Sequence, residues 1–271
     1  MMSTFSFTIL GCGSSGGVPR LGGNWGDCDP NNIKNQRSRC SLLVELTGTE
    51  GTTRVLIDTS PDMRSQLLKA QVGELDGVVY THEHADHVHG IDDLRMIFFN
   101  MRKRINVWAD TKTQEALLQK FGYTFIQAEG SPYPPILEMS TIDGQFSISG
   151  RGGRITFNPF EVQHGTITSL GLRINDVTYI PDISEMNDTA WDQIKKTNIW
   201  ILDALRRTPH QSHTHLSQSL EWIEDSGVEK GILTNMHIDM DYATLINELP
   251  SNVEPAYDGM RITSAHRTVK Q

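Results

Sequence analysis

The 271-residue chain lacks several features that would have set its class at once. It has three cysteines, Cys12, Cys28 and Cys40, an odd and widely spaced set with no C-x-x-C pair. That excludes a disulfide-built scaffold, argues against a cysteine-based zinc site and predicts a reducing compartment. No apolar run approaches the roughly 18 residues that a bilayer span needs. Residues 1–10 alternate through Phe5, Phe7 and Ile9 without a basic start or a small-residue cleavage site, so they do not read as a signal peptide. The expectation is a cytoplasmic protein with no membrane partner. Positive charge is also scarce: 24 Lys and Arg against 33 Asp and Glu leave a formal net charge of -9. A sequence-independent grip on nucleic acid needs a basic surface to displace counterions, so extended nucleic acid is not the expected partner.

Low-complexity tracts and clear linkers are missing too, and with 37% hydrophobic residues the chain reads as one ordinary globular domain over residues 1–271. A first strand over residues 5–10 runs into Gly11-Cys12-Gly13-Ser14-Ser15-Gly16-Gly17-Val18-Pro19-Arg20. Backbone N–H groups of such a turn can come close to an anion, but no Gly-Lys-Ser/Thr follows, so it is not a Walker loop. A structural turn and a substrate-facing loop are equally good readings of it. Residues 21–39 have the composition of a long loop. Residues 41–46 and 54–57 read as a hairpin around Gly48 and Gly51, 63–70 as a helix, 77–80 as a strand buried on both faces, and 91–101 as a helix. A strand at 105–109, a helix at 112–121 and an irregular excursion at 123–133 come next. Four strands follow at 146–149, 155–162, 169–174 and 177–180. Helices at 186–195, 216–224 and 242–249 then alternate with strands at 199–202, 231–234 and 260–263.

The densest chemistry lies where the strand at 77–80 ends. The stretch Val78-Val79-Tyr80-Thr81-His82-Glu83-His84-Ala85-Asp86-His87 puts His82, His84, Asp86 and His87 within six positions. Imidazole nitrogens and carboxylate oxygens suit divalent zinc, manganese or iron, and a rigid strand exit holds them within one coordination radius. A lone histidine here would read as part of a solvated loop; three histidines and an aspartate at this spacing reverse that weight. One metal cannot readily use all four, because adjacent Asp86 and His87 point away from the His82/His84 pair. Two neighbouring metals can.

His82-x-His84-x-Asp86-His87 after a strand resembles the signature of the metallo-β-lactamase superfamily. That resemblance implies an α/β (α+β) chain folded as a four-layer αββα sandwich, with ligands at strand ends along one edge of the two sheets. It extends to His164 after 157–163, Asp182 after 177–181 and His237 after 231–236. By this resemblance His82, His84 and His164 hold one ion, Asp86, His87 and His237 the other, and Asp182 bridges them. The implied cofactors are two divalent ions, zinc or manganese, with iron also suited. Gly11 to Pro19, Leu56-Ile57-Asp58-Thr59-Ser60-Pro61-Asp62 and Tyr179-Ile180-Pro181-Asp182 look like the phosphodiesterase branch. That branch includes tRNase Z, the cyclic-phosphate phosphodiesterase of carbon-phosphorus lyase pathways and a pyrroloquinoline-quinone biosynthesis protein.

The implied activity is hydrolysis of a small cyclic phosphate or nucleotide-like diester by a metal-bridging hydroxide, with Asp86 and His213 as catalytic residues. His213 would protonate the leaving oxygen. It lies in Pro209-His210-Gln211-Ser212-His213-Thr214-His215-Leu216, where the spacing to Leu216 and Leu220 favours it over His215; a solvated loop or a helix cap is the plainer reading of both. Asp58 reads equally as the group that orients a ligand imidazole and as a turn cap. Arg20, Arg64 and Arg95 could bind phosphate but stay outside the expected site, and Trp25 either stacks on a base or packs under the loop. Some features depart from the branch. Cys28-Asp29-Pro30 stands where the carbon-phosphorus relative has a cysteine cluster, so no extra structural zinc is expected. Leu233-Thr234 is followed by Asn235 where the branch often has histidine, which moves the expected ligand to His237. There is no long basic, glycine-rich insertion like the arm of tRNase Z. The alternatives are a tRNA 3′-end endonuclease, a thioester or lactone hydrolase, and a non-catalytic metal-dependent carrier; a homodimer is left open.

Overall fold

A computed structural model describes residues 3–265. The chain begins with β1 (Thr4–Gly11), makes a long excursion, and returns as the hairpin β2 (Ser41–Gly48) and β3 (Gly51–Ile57). Then come α1 (Met63–Lys69), β4 (Gly77–Val79), the one-turn α2 (Ala85–Val88), α3 (Leu94–Met101), β5 (Ile105–Ala109), α4 (Thr111–Phe121) and β6 (Leu137–Thr141). Strands β7 (Phe146–Gly150), β8 (Gly153–His164), β9 (Ile167–Ile174) and β10 (Val177–Ile180) form a meander. The remainder alternates: α5 (Asp188–Ile194), β11 (Ile199–Asp203), α6 (Leu216–Ser226), β12 (Lys230–Thr234), α7 (Tyr242–Glu248), β13 (Val253–Pro255) and β14 (Met260–Ala265). Two mixed sheets result, each seven-stranded, in the orders β14-β1-β2-β3-β4-β5-β6 and β13-β12-β11-β10-β9-β8-β7. The chain gathers into two compact units, one built on Ser41–Thr156 with β1 and β14, the other on Gly11–Cys40 and Phe157–Met260. None of the helices among the described residues is long and apolar enough to cross a membrane.

In the first unit the hairpin register pairs Leu43 with Leu56 and closes on Gly48 opposite Gly51. Gly51 has φ 144°, a conformation a side chain rarely adopts, which fits glycine to this turn. Strands β3, β4, β5 and β6 run parallel. A parallel strand with neighbours on both sides is covered on both faces, and the wholly buried run of β4 is the sequence expression of that. Leu67, Leu94, Ile97 and Leu117 of α1, α3 and α4 pack with Leu43, Leu56, Val78 and Val107 in one apolar core. At roughly 25 cal/mol per Å² of apolar area, each fully buried leucine contributes about 2 kcal/mol. Helix α4 starts where the Asp110 carboxylate accepts from the Thr113 N–H.

In the second unit β8, β9 and β10 are antiparallel, and β10 to β13 are parallel with helices between them. The register aligns Ile180 with Leu202 and Leu202 with Leu233. Residues just past these positions therefore leave the sheet along one edge, the place where open parallel sheets carry ligands. Asp182, Asp203 and Asn235 are those residues.

Three elements differ from the sequence reading. Strand β6 was hidden because Glu138 and Ser140 break its apolar pattern; it exists because it pairs with β5 from Ile105↔Leu137 to Ala109↔Thr141. Strand β13 has three residues and ends in Pro255, which suits the sheet edge it occupies. The expected metal loop contains a helical turn, α2, that carries Asp86 and His87.

Candidate metal centre

The first unit builds one cluster around Asp58. This residue follows β3 in a left-handed conformation, φ 61°, which aspartate tolerates better than most residues. Its N–H donates to the Val79 carbonyl at 2.9 Å, aligning the exits of β3 and β4. The carboxylate is fully buried and accepts three bonds at 2.8 Å: Thr81 N–H, Thr81 Oγ1–H and His87 Nδ1–H. Burial pushes the Asp58 carboxyl above its ordinary value, while His87 beside it pulls the other way. The single hydroxyl proton of Thr81 is committed to Asp58, so the contact of 3.0 Å between Thr81 Oγ1 and His82 Nδ1 is one in which the imidazole donates. His82 and His87 therefore both carry the proton on Nδ1 and the lone pair on Nε2, the tautomer a metal ligand needs.

The rings of His82 and His84 lie 4.7 Å apart by centroid, those of His82 and His87 4.3 Å, and His87 Nε2 is 3.5 Å from Asp86 Oδ2. His82 and His87 are buried and His84 is exposed. Gly90 seats the segment: its N–H bonds the Thr59 carbonyl at 2.9 Å, and a Cβ there would come within 2.1 Å of the Ser60 oxygen. Only a residue with no side chain lets the α2 turn rest on the loop that holds Asp58.

The second unit builds another cluster, in which ligand atoms of His164, Asp182 and His213 all lie within 4.8 Å of one another. His164 closes β8 and donates from Nδ1 to the Ser212 carbonyl at 2.6 Å. Gly165, at φ 60°, makes that approach feasible, since a Cβ there would meet Ser212 Cβ at 2.7 Å. His213 Nδ1 is 2.8 Å from Asp203 Oδ2 and 3.4 Å from Asp182 Oδ1. The Asn235 amide donates at 3.2 Å to both Asp182 Oδ1 and Asp203 Oδ1. Asp203 is fully buried, and burial pushes its carboxyl up to about 7, against the pull of His213. Asp203 and Asn235 were not anticipated; the available signal was that Asp203 ends β11 at the same sheet edge as Asp182.

The donor chemistry of both clusters fits divalent metal. Each offers imidazole nitrogen and carboxylate oxygen, and His82, His87, His164 and His213 each have Nδ1 tied to an oxygen of the chain.

His237 makes contacts of its own in the second unit. Its Nδ1 is 3.2 Å from Asp239 Oδ1, and its Nε2 accepts from the Arg20 guanidinium. Burial and then the Arg20 charge hold the His237 ring below the ordinary histidine range, with Asp239 opposing. His215 is the residue before α6 and makes no side-chain capping bond. Arg95 pairs with Asp92 at 2.8 Å, Arg64 is exposed, and Trp25 is half-buried.

Residues 53–238 match the β-lactamase superfamily domain. A curated relative from Porphyromonas gingivalis (strain ATCC BAA-308 / W83), named octanoyltransferase, is 30% identical over 93% of this chain; the chain spans about half of that relative's length, 50%. Among solved structures, a new diphosphatase from the PhnP family is 31% identical, with a TM-score of 0.85 over 97% of this chain and 98% of that one. Zinc-bound PqqB from Methylobacterium extorquens, at 16% identity, shares the fold with a TM-score of 0.70 over 95% of this chain and 99% of its own. The chain, with its two mixed sheets, flanking helices and His/Asp clusters, belongs to the β-lactamase superfamily and has the metallo-β-lactamase αββα fold.

Proposed function

We propose that this metal-dependent hydrolase is a binuclear phosphodiesterase acting on a small cyclic phosphate or nucleotide-like diester. The observation that carries the reading is the set of histidines, His82, His87 and His164, whose Nδ1 protons are tied to Thr81, Asp58 and Ser212, which supports Nε2 ligation. As the superfamily resemblance implies, His82, His84 and His164 would hold one ion and Asp86, His87 and His237 the second, with Asp182 shared; zinc, manganese and iron all suit these donors. When bound, two such ions supply a nucleophilic water near neutral pH and neutralise charge on the phosphoryl oxygens.

The phosphodiester part of the proposal draws on the diphosphatase relative, which is 31% identical across nearly the whole chain. The net charge of -9 favours a small substrate over extended nucleic acid. In this reading Asp203 orients His213, and His213 gives its proton to the leaving oxygen. Asp58 and the Ser212 carbonyl keep His87 and His164 in the ligating tautomer.

Metal-loaded protein is expected to hydrolyse bis(p-nitrophenyl) phosphate or a member of a cyclic-phosphate panel, and to lose that activity on chelation. The absence of turnover across the panel refutes the proposal. A second reading is thioester hydrolysis on the same fold. His213→Ala separates the two: loss of general acid catalysis lowers the rate on an alkoxide-leaving diester by about 10²–10⁴-fold. An octanoyl thioester, whose thiolate leaves without a proton, is expected to be little affected.

A further inference from the structure

Resting on the phosphodiesterase reading, we propose that Asn235 is a positioning residue: its side-chain amide holds Asp182, a carboxylate expected to bind metal, and Asp203, the carboxylate that orients His213, at one fixed spacing.

The backbone aims this side chain. Asn235 is the first residue after β12 and has φ 60°, a left-handed conformation that asparagine tolerates better than most residues. Its neighbours are held on both sides: the Thr234 carbonyl accepts from Ala204 N–H at 3.0 Å, and Met236 N–H donates to the Cys12 carbonyl at 2.8 Å. Between these two bonded neighbours the side chain turns toward the exits of β10 and β11, where it is buried.

The surrounding hydrogen bonds leave the amide one arrangement. Asp203 Oδ2 accepts from His213 Nδ1–H at 2.8 Å and from Ile183 N–H at 3.2 Å. Asp203 Oδ1 and Asp182 Oδ1 each accept from Asn235 Nδ2 at 3.2 Å. His213 Nδ1 also lies 3.2 Å from Asn235 Nδ2, but both are donors, so the two amide hydrogens go to the two carboxylates. A flipped amide would set its oxygen against both carboxylates, which the charges do not permit.

A neutral donor suits this place. Asp182 and Asp203 are both buried, and two like charges held near one another repel. One shared nitrogen draws an oxygen of each toward it without adding charge, through bonds strengthened by the ionised acceptors. Without the amide both carboxylates lose a partner together and separate. That displaces an expected metal ligand and the orienting partner of His213 by the same change.

Asn235→Gly is the test, because glycine accepts φ 60° without strain and removes only the side chain. Metal affinity, read by competition with a chromophoric chelator, is expected to fall by about tenfold, the scale for losing a group that orients a ligand. The rate on a cyclic nucleotide, whose alkoxide leaves with a proton, is expected to fall at least about tenfold more than the rate on bis(p-nitrophenyl) phosphate, whose phenolate leaves without one. In a His213→Ala background that extra loss should vanish, because no donor remains to be positioned. A residue that merely supports the fold would lower both rates alike and add its effect to that of His213→Ala. Metal affinity within about twofold of wild type, or an equal fall on the two diesters, overturns the proposal. Thermal melting of the metal-free variants verifies folding. Asn235→Ser, whose one hydroxyl hydrogen serves only one carboxylate, carries the same comparisons if Asn235→Gly does not fold. Chelator competition needs no turnover, so it decides the role of Asn235 even if the wild type cleaves no diester, and that inactivity refutes the phosphodiesterase reading separately.

Discussion

Asp58→Asn isolates the link between buried hydrogen bonding and metal affinity. Asparagine keeps the size of the side chain and tolerates the φ of 61° at this position, so backbone strain is not added. One of its atoms must become a donor. If the amide oxygen keeps the Thr81 N–H, the NH₂ group faces Thr81 Oγ1 and His87 Nδ1, both now at 2.8 Å from Oδ2 and both donating. His87 escapes the clash by moving its proton to Nε2, where it can no longer ligate. The Thr81 hydroxyl must also turn, which removes the acceptor that holds His82. Loss of such an orienting partner lowers metal affinity by about 10–100-fold, or about 1.4–2.8 kcal/mol. Metal-free protein loses about 1–3 kcal/mol, the cost of a buried unmatched donor. Competition with a chromophoric chelator reads the first quantity and urea denaturation of the metal-free form reads the second. Metal affinity of Asp58→Asn within about twofold of wild type, in a folded variant, refutes the argument.

The remaining predictions concern other places in the chain. His164→Ala is expected to weaken metal binding more than about tenfold, because its Nδ1 is tied to the Ser212 carbonyl and leaves Nε2 for the metal; equilibrium dialysis with metal analysis decides. Gly90→Ala forces a Cβ to within 2.1 Å of the Ser60 oxygen, so urea unfolding should show a loss of about 1–3 kcal/mol. Asp258 accepts from Ser38 N–H and Oγ–H at 2.8 and 2.6 Å, yet burial pushes its carboxyl up to about 6. A raised folded-state value means that the folded chain holds the extra proton: the contribution is full below about pH 4 and is lost as the pH rises to about 6. Discounted for partial exposure, metal-free wild type should lose about 1–2 kcal/mol more than Asp258→Asn over that interval, read by urea denaturation at each pH.

Much of this architecture was legible locally. The apolar run at residues 77–80 announced a strand buried on both faces, and its exit carried the histidines; the β2–β3 hairpin showed in two glycines. Strand β6 was not legible, because a strand whose outer positions are polar exists through its pairing with β5 and not through its own pattern. The role of Asp58 was undecided between a turn cap and an imidazole partner, since its partner His87 is 29 positions away.

His237 and His213 show the limit most clearly. Counting histidines near the last ligand strand led to His237, the only one close in sequence. The folded chain sets that ring beside Arg20, 217 positions away, and His213 beside Asp203, Asp182 and His164. By itself, then, the sequence determined most of the elements, the superfamily motif and the donor types, because strand and helix periodicity and ligand spacing are local properties. Only the tertiary structure decided which imidazole nitrogen carries its proton and which carboxylate or carbonyl holds each ring. Those depend on hydrogen bonds between residues far apart in the chain, and no local pattern encodes such distances.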